Sequence, residues 1–175
     1  MSNIRLASPR PMDPCATIAS IESAILDPHA GLPEEVFLFL SRITPLINVD
    51  LLIKDDGGRT LLTWRDDEFF GPGWHVPGGI IRYKEMASDR IRACAQEELG
   101  AGVAFEAVPL LVSETIREQK SRGHFISLLY ECRLLTPLDE GRRARSSPPE
   151  AGEWQWHARC PPDLLSIQSQ YARFL

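Results

Sequence analysis

The sequence has no Cys-X-X-Cys pair. Its four cysteines, Cys15, Cys94, Cys132 and Cys160, are scattered, which argues against a zinc site or a disulfide framework. Reduced thiols in a cytoplasmic chain are the simplest reading. There is no apolar run near the roughly 18 residues that a membrane-spanning helix needs. Residues 1–14 carry two arginines but no continuous apolar stretch, so a secretory signal is disfavoured as well. Positive charge is not in surplus: 19 Lys plus Arg against 24 Asp plus Glu leave a net charge of −5. That disfavours a nucleic-acid partner, whose phosphates are gripped by excess cations. Internal repeats and low-complexity tracts are missing too. What remains is ordinary globular usage, 43% hydrophobic and 25% charged over 175 residues, enough for one domain with a buried core.

Residues 1–31 read as an N-terminal extension: Pro9, Pro11 and Pro14 break regular structure, and residues 16–26 form one short helix. The domain proper spans residues 32–175. It opens on a helix whose apolar stripe is Val36, Phe37, Leu40 and Ile43, stopped by Thr44 and Pro45. Residues 46–53 and 60–64 read as strands of a hairpin about an Asp-Asp-Gly-Gly turn, and residues 74–76 as a short strand broken by Pro77-Gly78-Gly79. A helix is expected over 87–99, closed by Gly100. Strands follow at 110–116 and 125–134, then a long loop over 136–152, a strand at 154–157 and a helix over 161–174. The pattern predicts an α/β fold, a mixed sheet with helices packed against it.

The helix over 87–99 carries acids where apolar residues belong. At about 100° per residue, Ile91, Cys94, Ala95 and Leu99 share an arc of roughly 140°. Glu98 falls inside that arc and Glu97 at its edge, near Cys94 and Arg90. Carboxylates aimed at a core need cations or donors beside them. The alternative is a rotated helix with both acids solvated. The Pro-Gly-Gly turn just before the helix favours the first reading, since carbonyl and carboxylate oxygens together suit a hard divalent ion such as Mg²⁺, or Mn²⁺ in its place. A phosphate substrate would complete that shell.

The spacing of Gly79, Glu85, Glu97, Glu98 and Gly100 resembles the Nudix box: Gly, five residues, Glu, seven residues, then a segment ending Glu-Glu-any-Gly. Two positions depart, with Ala93 at the usual Arg and Cys94 at the usual first Glu of the metal-binding face. A neutral thiol is a poor Mg²⁺ ligand. Arg90 and Arg92 lie near, on other bearings of the helix. From Leu32 onward, the chain is most similar to the GDP-mannose mannosyl hydrolase branch of the family: Thr44-Pro45-Leu46, a strand with Asp50, Leu61-Leu62-Thr63-Trp64-Arg65, and Gly73-Trp74-His75-Val76-Pro77-Gly78-Gly79. That branch also lacks the first Glu and cleaves the sugar C1 to oxygen bond.

The resemblance implies a Nudix α/β/α sandwich with a mixed central sheet, acting on a nucleoside diphosphate-linked substrate as a homodimer. It implies that the Gly78 carbonyl and Glu98 bind Mg²⁺, with Glu97 and Glu150 as further candidate ligands and catalytic carboxylates, Glu150 binding metal or activating water, and that Arg65 stabilises charge on the departing diphosphate. A guanidinium fork suits phosphate oxygens on its own physics. Asp50 either contacts a sugar hydroxyl or base edge or marks a solvent face, and His75 and Arg90 are further candidate substrate contacts. The late loop departs from that branch, placing Glu150 and Ala151 where it has Gln and the catalytic His. His124 and His157 are substitutes only if folding brings them to the metal. Arg142, Arg143 and Arg145 either approach a diphosphate or form a solvated run. Cleavage at phosphorus and a non-catalytic nucleotide sensor are the competing readings.

Overall fold

In the computed structural model, which describes residues 13–175, strand β1 (Leu46–Ile53) is the centre of the fold because both of its faces are buried. Pro9, Pro11 and the two arginines of the expected extension lie outside the described residues. Val49, Leu51 and Ile53 point into one core cluster with Ile91, Cys94, Ala95 and Leu99; Leu52 points into a second with Leu62, Trp64, Val76 and Tyr171. A slip of one residue would turn Asp50 into the first cluster, so the register is strongly specified. Neighbours follow from that position. β1 pairs antiparallel with β4 (Gly78–Ile80) and parallel with β7 (His124–Leu134), and β7 also carries β5 (Val103–Phe105) and β6 (Leu111–Ile116). This is the mixed sheet of an α/β fold.

A second, antiparallel sheet has β2 (Thr60–Arg65) between β3 (Gly73–His75) and β8 (Trp154–His157). The hairpin expected between residues 46–53 and 60–64 is therefore corrected: after one bridge at Lys54 and Thr60 the two strands separate into different sheets. The cause is burial. Every residue of β2 before Arg65 is buried, and such a strand needs partners of its own on both edges.

Helix α3 (Ala87–Leu99) packs on β4 and β1 through Ile91, Cys94, Ala95 and Leu99, and ends at Gly100 in the left-handed region, φ 64°. Ahead of the sheets, α1 (Pro14–Ala24) starts on an Asp13 cap and buries no side chain, and α2 (Glu34–Leu40) follows it. The helix expected over 161–174 is a shorter 3₁₀ helix, Ser166–Phe174, kinked at Gln168; it seats Tyr171 fully inside the second cluster. Pro161 and Pro162 keep the chain before it out of helix. Among the described residues no helix is long and apolar enough to cross a membrane.

Candidate functional site

Helix α3 begins just beyond β4, and the two meet with almost no space between them. A Cβ on Gly79 would lie 2.6 Å from Cys94 Sγ, and one on Gly78 would lie 2.3 Å from the Val49 carbonyl oxygen and 2.6 Å from Asp50 Oδ1. Glycine at both positions is what lets the helix, β4 and β1 close together. That approach delivers Glu98 to the strand: Oε1 accepts the Gly78 N–H at 3.0 Å and Oε2 accepts the Thr63 hydroxyl at 3.0 Å. Glu98 is half-buried, as its bearing on the helix predicts, and burial first of all raises its pKa.

His75 continues this chain of polar contacts. Its Nδ1 lies 2.9 Å from the Val76 carbonyl oxygen, which only accepts, so that nitrogen carries the ring proton. Nε2 lies 3.0 Å from Thr63 Oγ1. Burial holds the His75 pKa down to about 3, so the ring is neutral. Thr63 then has a single proton for two acceptors, the ring and Glu98. An ionised Glu98 is thus short of donors, and its shortfall is relieved by a cation on its free lone pairs or by a proton.

The other box residues divide cleanly. Arg90 is 5% exposed and its Nε and Nη2 clasp Glu85 at 2.8 to 3.1 Å, while the Arg82 N–H donates to Glu85 at 2.8 Å. Arg90 is a structural clamp between the box loop and α3 and does not line the cleft described below, contrary to its expected place as a substrate contact. Glu97 is 58% exposed, with Arg90 Nη1 at 3.6 Å. Cys94 fills the place of the missing acid as a buried thiol, pushed up to about 12 by desolvation.

Beyond β4 a cleft is lined by a hydrogen-bonded group, Asn48, Asp50, Ser127 and Gln168, by a packed group, Arg65, Arg122, Phe70 and Phe125, and by His75, Gly78 and Gly79. Asp50 is 4% exposed, which removes the solvent-face reading. Its Oδ2 accepts from Tyr171 at 2.6 Å and from Asn48 at 2.9 Å, and Asn48 in turn accepts from the Ser127 hydroxyl at 2.9 Å. Desolvation pushes Asp50 up to about 7. Arg65, at the end of β2, reaches the cleft with its Nε 3.0 Å from Asp67.

The late loop is tied to the same strand. The Gly152 N–H donates to the Trp64 carbonyl and the Trp64 N–H to the Glu153 carbonyl, which sets the segment holding Glu150 beside Thr63 and Arg65 in sequence. The Glu150 side chain is exposed and is not among the cleft residues. His124 bonds Glu114 at 2.8 Å, and His157 packs edge-on against Trp74 at 4.5 Å; neither lines the cleft. Arg142 donates to the Glu97 carbonyl, Arg145 to that of Glu140, and Arg143 lies over Trp154, so the basic run ties down its own loop. Sequence reasoning missed Arg122, Gln168 and Tyr171, which sit far along the chain and carry no motif.

A NUDIX domain family model matches residues 44–170. The chain belongs to the Nudix family. The low-salt glycan biosynthesis protein Agl8 of Haloferax volcanii is 35% identical over 80 residues, covering 46% of this chain and 51% of Agl8, so the chain spans about half the length of that curated relative. A solved UDP-X diphosphatase is 24% identical, with 87% of this chain and 72% of that one covered and a TM-score of 0.54. A structure described as a possible asymmetric diadenosine tetraphosphate hydrolase from Jonesia denitrificans is 20% identical, covering 75% of this chain and 92% of that one, with a TM-score of 0.58. These two likenesses establish the Nudix fold.

The Nudix family generally uses divalent ions such as Mg²⁺. Among the described residues, no group of three or more His, Cys, Asp or Glu side chains is gathered as a metal cage. Mg²⁺, however, keeps several waters and binds through one or two carboxylates plus substrate phosphates. Glu98, short of donors and backed by Gly78, with Glu97 one residue away, fits that sparse mode of binding.

Proposed function

We propose that this Nudix protein hydrolyses a nucleoside diphosphate linked to a small group, with a nucleotide sugar of the GDP-mannose kind as the leading substrate. The observation that carries the reading is the cleft itself. Its lining brings together two guanidiniums and a hydrogen-bonded set of hydroxyl-recognising groups, Asp50, Asn48, Ser127 and Gln168, with Glu98 bonded to the Gly78 N–H of the lining. A diphosphate bearing a polyol matches both groups. The similarity to a protein of glycan biosynthesis supports the same substrate class.

In this reading Glu98 and the Gly78 carbonyl hold Mg²⁺, with Glu97 and Glu150 as further ligands or catalytic carboxylates, Glu150 being the one to activate water. When bound, the ion supplies neutralisation of the charge that grows on a departing diphosphate. Arg65 binds phosphate oxygens through its fork and stabilises the same charge. Asp50, fixed by Tyr171 and Asn48, accepts or donates to a sugar hydroxyl, and the single Thr63 hydroxyl proton is shared between two acceptors, neutral His75 and Glu98. In the overall reaction the water oxygen bonds to sugar C1, the bond from C1 to the β-phosphate oxygen breaks, and GDP leaves with that electron pair while a proton passes to solvent.

Incubation with GDP-mannose and Mg²⁺ in ¹⁸O-water tests this. The expected products are GDP and ¹⁸O-labelled mannose, and Glu98→Gln abolishes them. GMP with mannose 1-phosphate would move the attack to phosphorus. GDP-dependent thermal stabilisation without any product would make the protein a nucleotide sensor. Near-normal turnover by Glu98→Gln would reject the metal assignment.

A further inference from the structure

Arg122 belongs to no motif, and its surroundings are unusual for a guanidinium. It sits on the short strap between β6 and β7 and faces the same cleft as Arg65. Its Nε is buried without a hydrogen-bond partner, and among the described residues no carboxylate lies within ion-pair distance of it. Two carboxylates, Asp67 and Glu34, act on it from beyond ion-pair distance, and Asp67 is already engaged: it pairs with Arg65 at 3.0 Å and accepts the Phe69 and Phe70 N–H groups at 2.9 Å each. What holds Arg122 instead is aromatic. Its guanidinium carbon lies 5.7, 4.8 and 5.1 Å from the ring centres of Phe37, Phe69 and Phe70. Ring contacts meet the cation while its in-plane N–H groups have no hydrogen-bond partner among the described residues.

The backbone is built around that placement. Arg122 has φ 54°, in the left-handed region that disfavours a residue with a side chain. The Ser41 hydroxyl oxygen accepts its N–H at 3.1 Å, and Gln119 Nε2 donates to the Ser121 and Arg122 carbonyls at 3.0 and 2.8 Å. Gly123 lets the strap close, since a Cβ there would lie 2.6 Å from the Gln119 carbonyl oxygen. Burial, and then the positive charge of Arg65, lower the Arg122 pKa. Two cations thus converge on one cleft and repel each other, an arrangement that an anion between them would relieve.

We propose that Arg122 is a phosphate-binding residue which, with Arg65, forms a receptor for a diphosphate that works without a metal ion. That the diphosphate belongs to a nucleotide rests on the function proposed above; the anion receptor does not. Two forks present at least two sets of N–H donors, which suits two linked phosphoryl groups better than one carboxylate.

The test is calorimetric titration of inorganic pyrophosphate, and separately of GDP, into the full chain in EDTA. The wild type binds both. Arg122→Met keeps an apolar stem against the phenyl rings and weakens binding by about 10- to 100-fold. Arg122→Lys keeps the charge without the fork and falls between them. In the wild type, the Arg122 Nε–H nuclear magnetic resonance signal, assigned by its loss in Arg122→Lys, shifts as pyrophosphate is added, a readout that stands even if the Met variant does not fold. The proposal is overturned if the wild type fails to bind pyrophosphate in EDTA, if a folded Arg122→Met binds it within twofold of the wild type, or if the Nε–H signal stays still at saturation. Turnover of GDP-mannose with Mg²⁺ is read separately: Arg122-dependent binding without products upholds the receptor and retires the hydrolase.

Discussion

Gly79→Ala should damage the site through one sulfur atom. The added methyl would lie 2.6 Å from Cys94 Sγ and 3.4 Å from Arg90 Cδ, and Gly79 does not occupy the left-handed region, so the backbone accepts alanine and the strain is all contact. Ordinary non-bonded separations are about 3.5–4.0 Å. β4 and α3 must therefore part by about 1 Å. Overpacking of that kind costs about 1–3 kcal/mol. Cys94→Ala alone removes a small buried group, 2% exposed, and costs about 1 kcal/mol. If the sulfur is the cause, the double variant returns to about the level of Cys94→Ala, with a coupling of about 1–3 kcal/mol. The four proteins compared by equilibrium urea unfolding measure this directly. The same parting stretches the bond from the Gly78 N–H to Glu98, so stabilisation by Mn²⁺ should be lost in Gly79→Ala and recovered in the double variant. Additive single effects, within about 0.5 kcal/mol, would refute the reasoning.

Glu85→Ala leaves Arg90 buried with only the more distant Glu97, and should destabilise by about 3 kcal/mol, whereas exposed Glu97→Ala should change stability by less than about 0.5 kcal/mol. Comparable losses in a thermal-unfolding series would contradict the clamp. Stability against pH should expose two opposed titrations in the metal-free protein. The unfolded chain protonates His75 near 6.5 while the fold resists until about 3, so this contribution is lost as pH falls below 6.5. Folded Asp50 keeps a proton up to about 7 that the unfolded chain releases near 3.8, so its contribution is lost as pH rises through that window. Between pH 4.5 and 6.5, His75→Gln should become less stable as pH rises and Asp50→Asn more stable, each by up to about 1.4 kcal/mol per pH unit. Slopes of the same sign would sink the assignment.

Much of the site was legible in local sequence. The α3 boundaries, its inward arc and the approach of Glu98 follow from 3.6-residue periodicity and a glycine at the stop, all contained within one element. Pairings between distant segments left no such trace. Residues 78–80 look like a turn because Pro-Gly-Gly punctuates the chain, yet they form β4, since only glycine allows β1 and α3 to approach from both sides. The split of β1 and β2 into two sheets depends on burial of both strands, which periodicity cannot assign to a partner. Arg122 lines the cleft and Tyr171 bonds Asp50 from beneath it, 57 and 106 residues beyond Arg65 by number, through the β7 pairing and the C-terminal 3₁₀ helix. A lone Arg before Gly and a lone Tyr near a terminus carry no pattern that marks them.

The replacement of an acid by Cys94 has a thermodynamic consequence for how ion and substrate bind. With one half-buried carboxylate and one exposed neighbour, the protein offers a divalent ion few ligands of its own, so phosphate oxygens have to complete the set. In the proposed reading, Arg65 and Arg122 hold the diphosphate where those oxygens are shared. Each ligand should then strengthen the other, and linkage requires the two enhancements to be equal. Titrating Mn²⁺ with and without saturating GDP, and GDP with and without saturating Mn²⁺, should give one coupling free energy of about 1–3 kcal/mol from both routes, after subtraction of Mn²⁺ binding to free GDP. A Cys94→Glu variant, carrying its own extra ligand, should bind Mn²⁺ more tightly alone and show less coupling. Tight Mn²⁺ binding to the wild type without GDP, with no coupling, would mean that the ion and the diphosphate do not share a site.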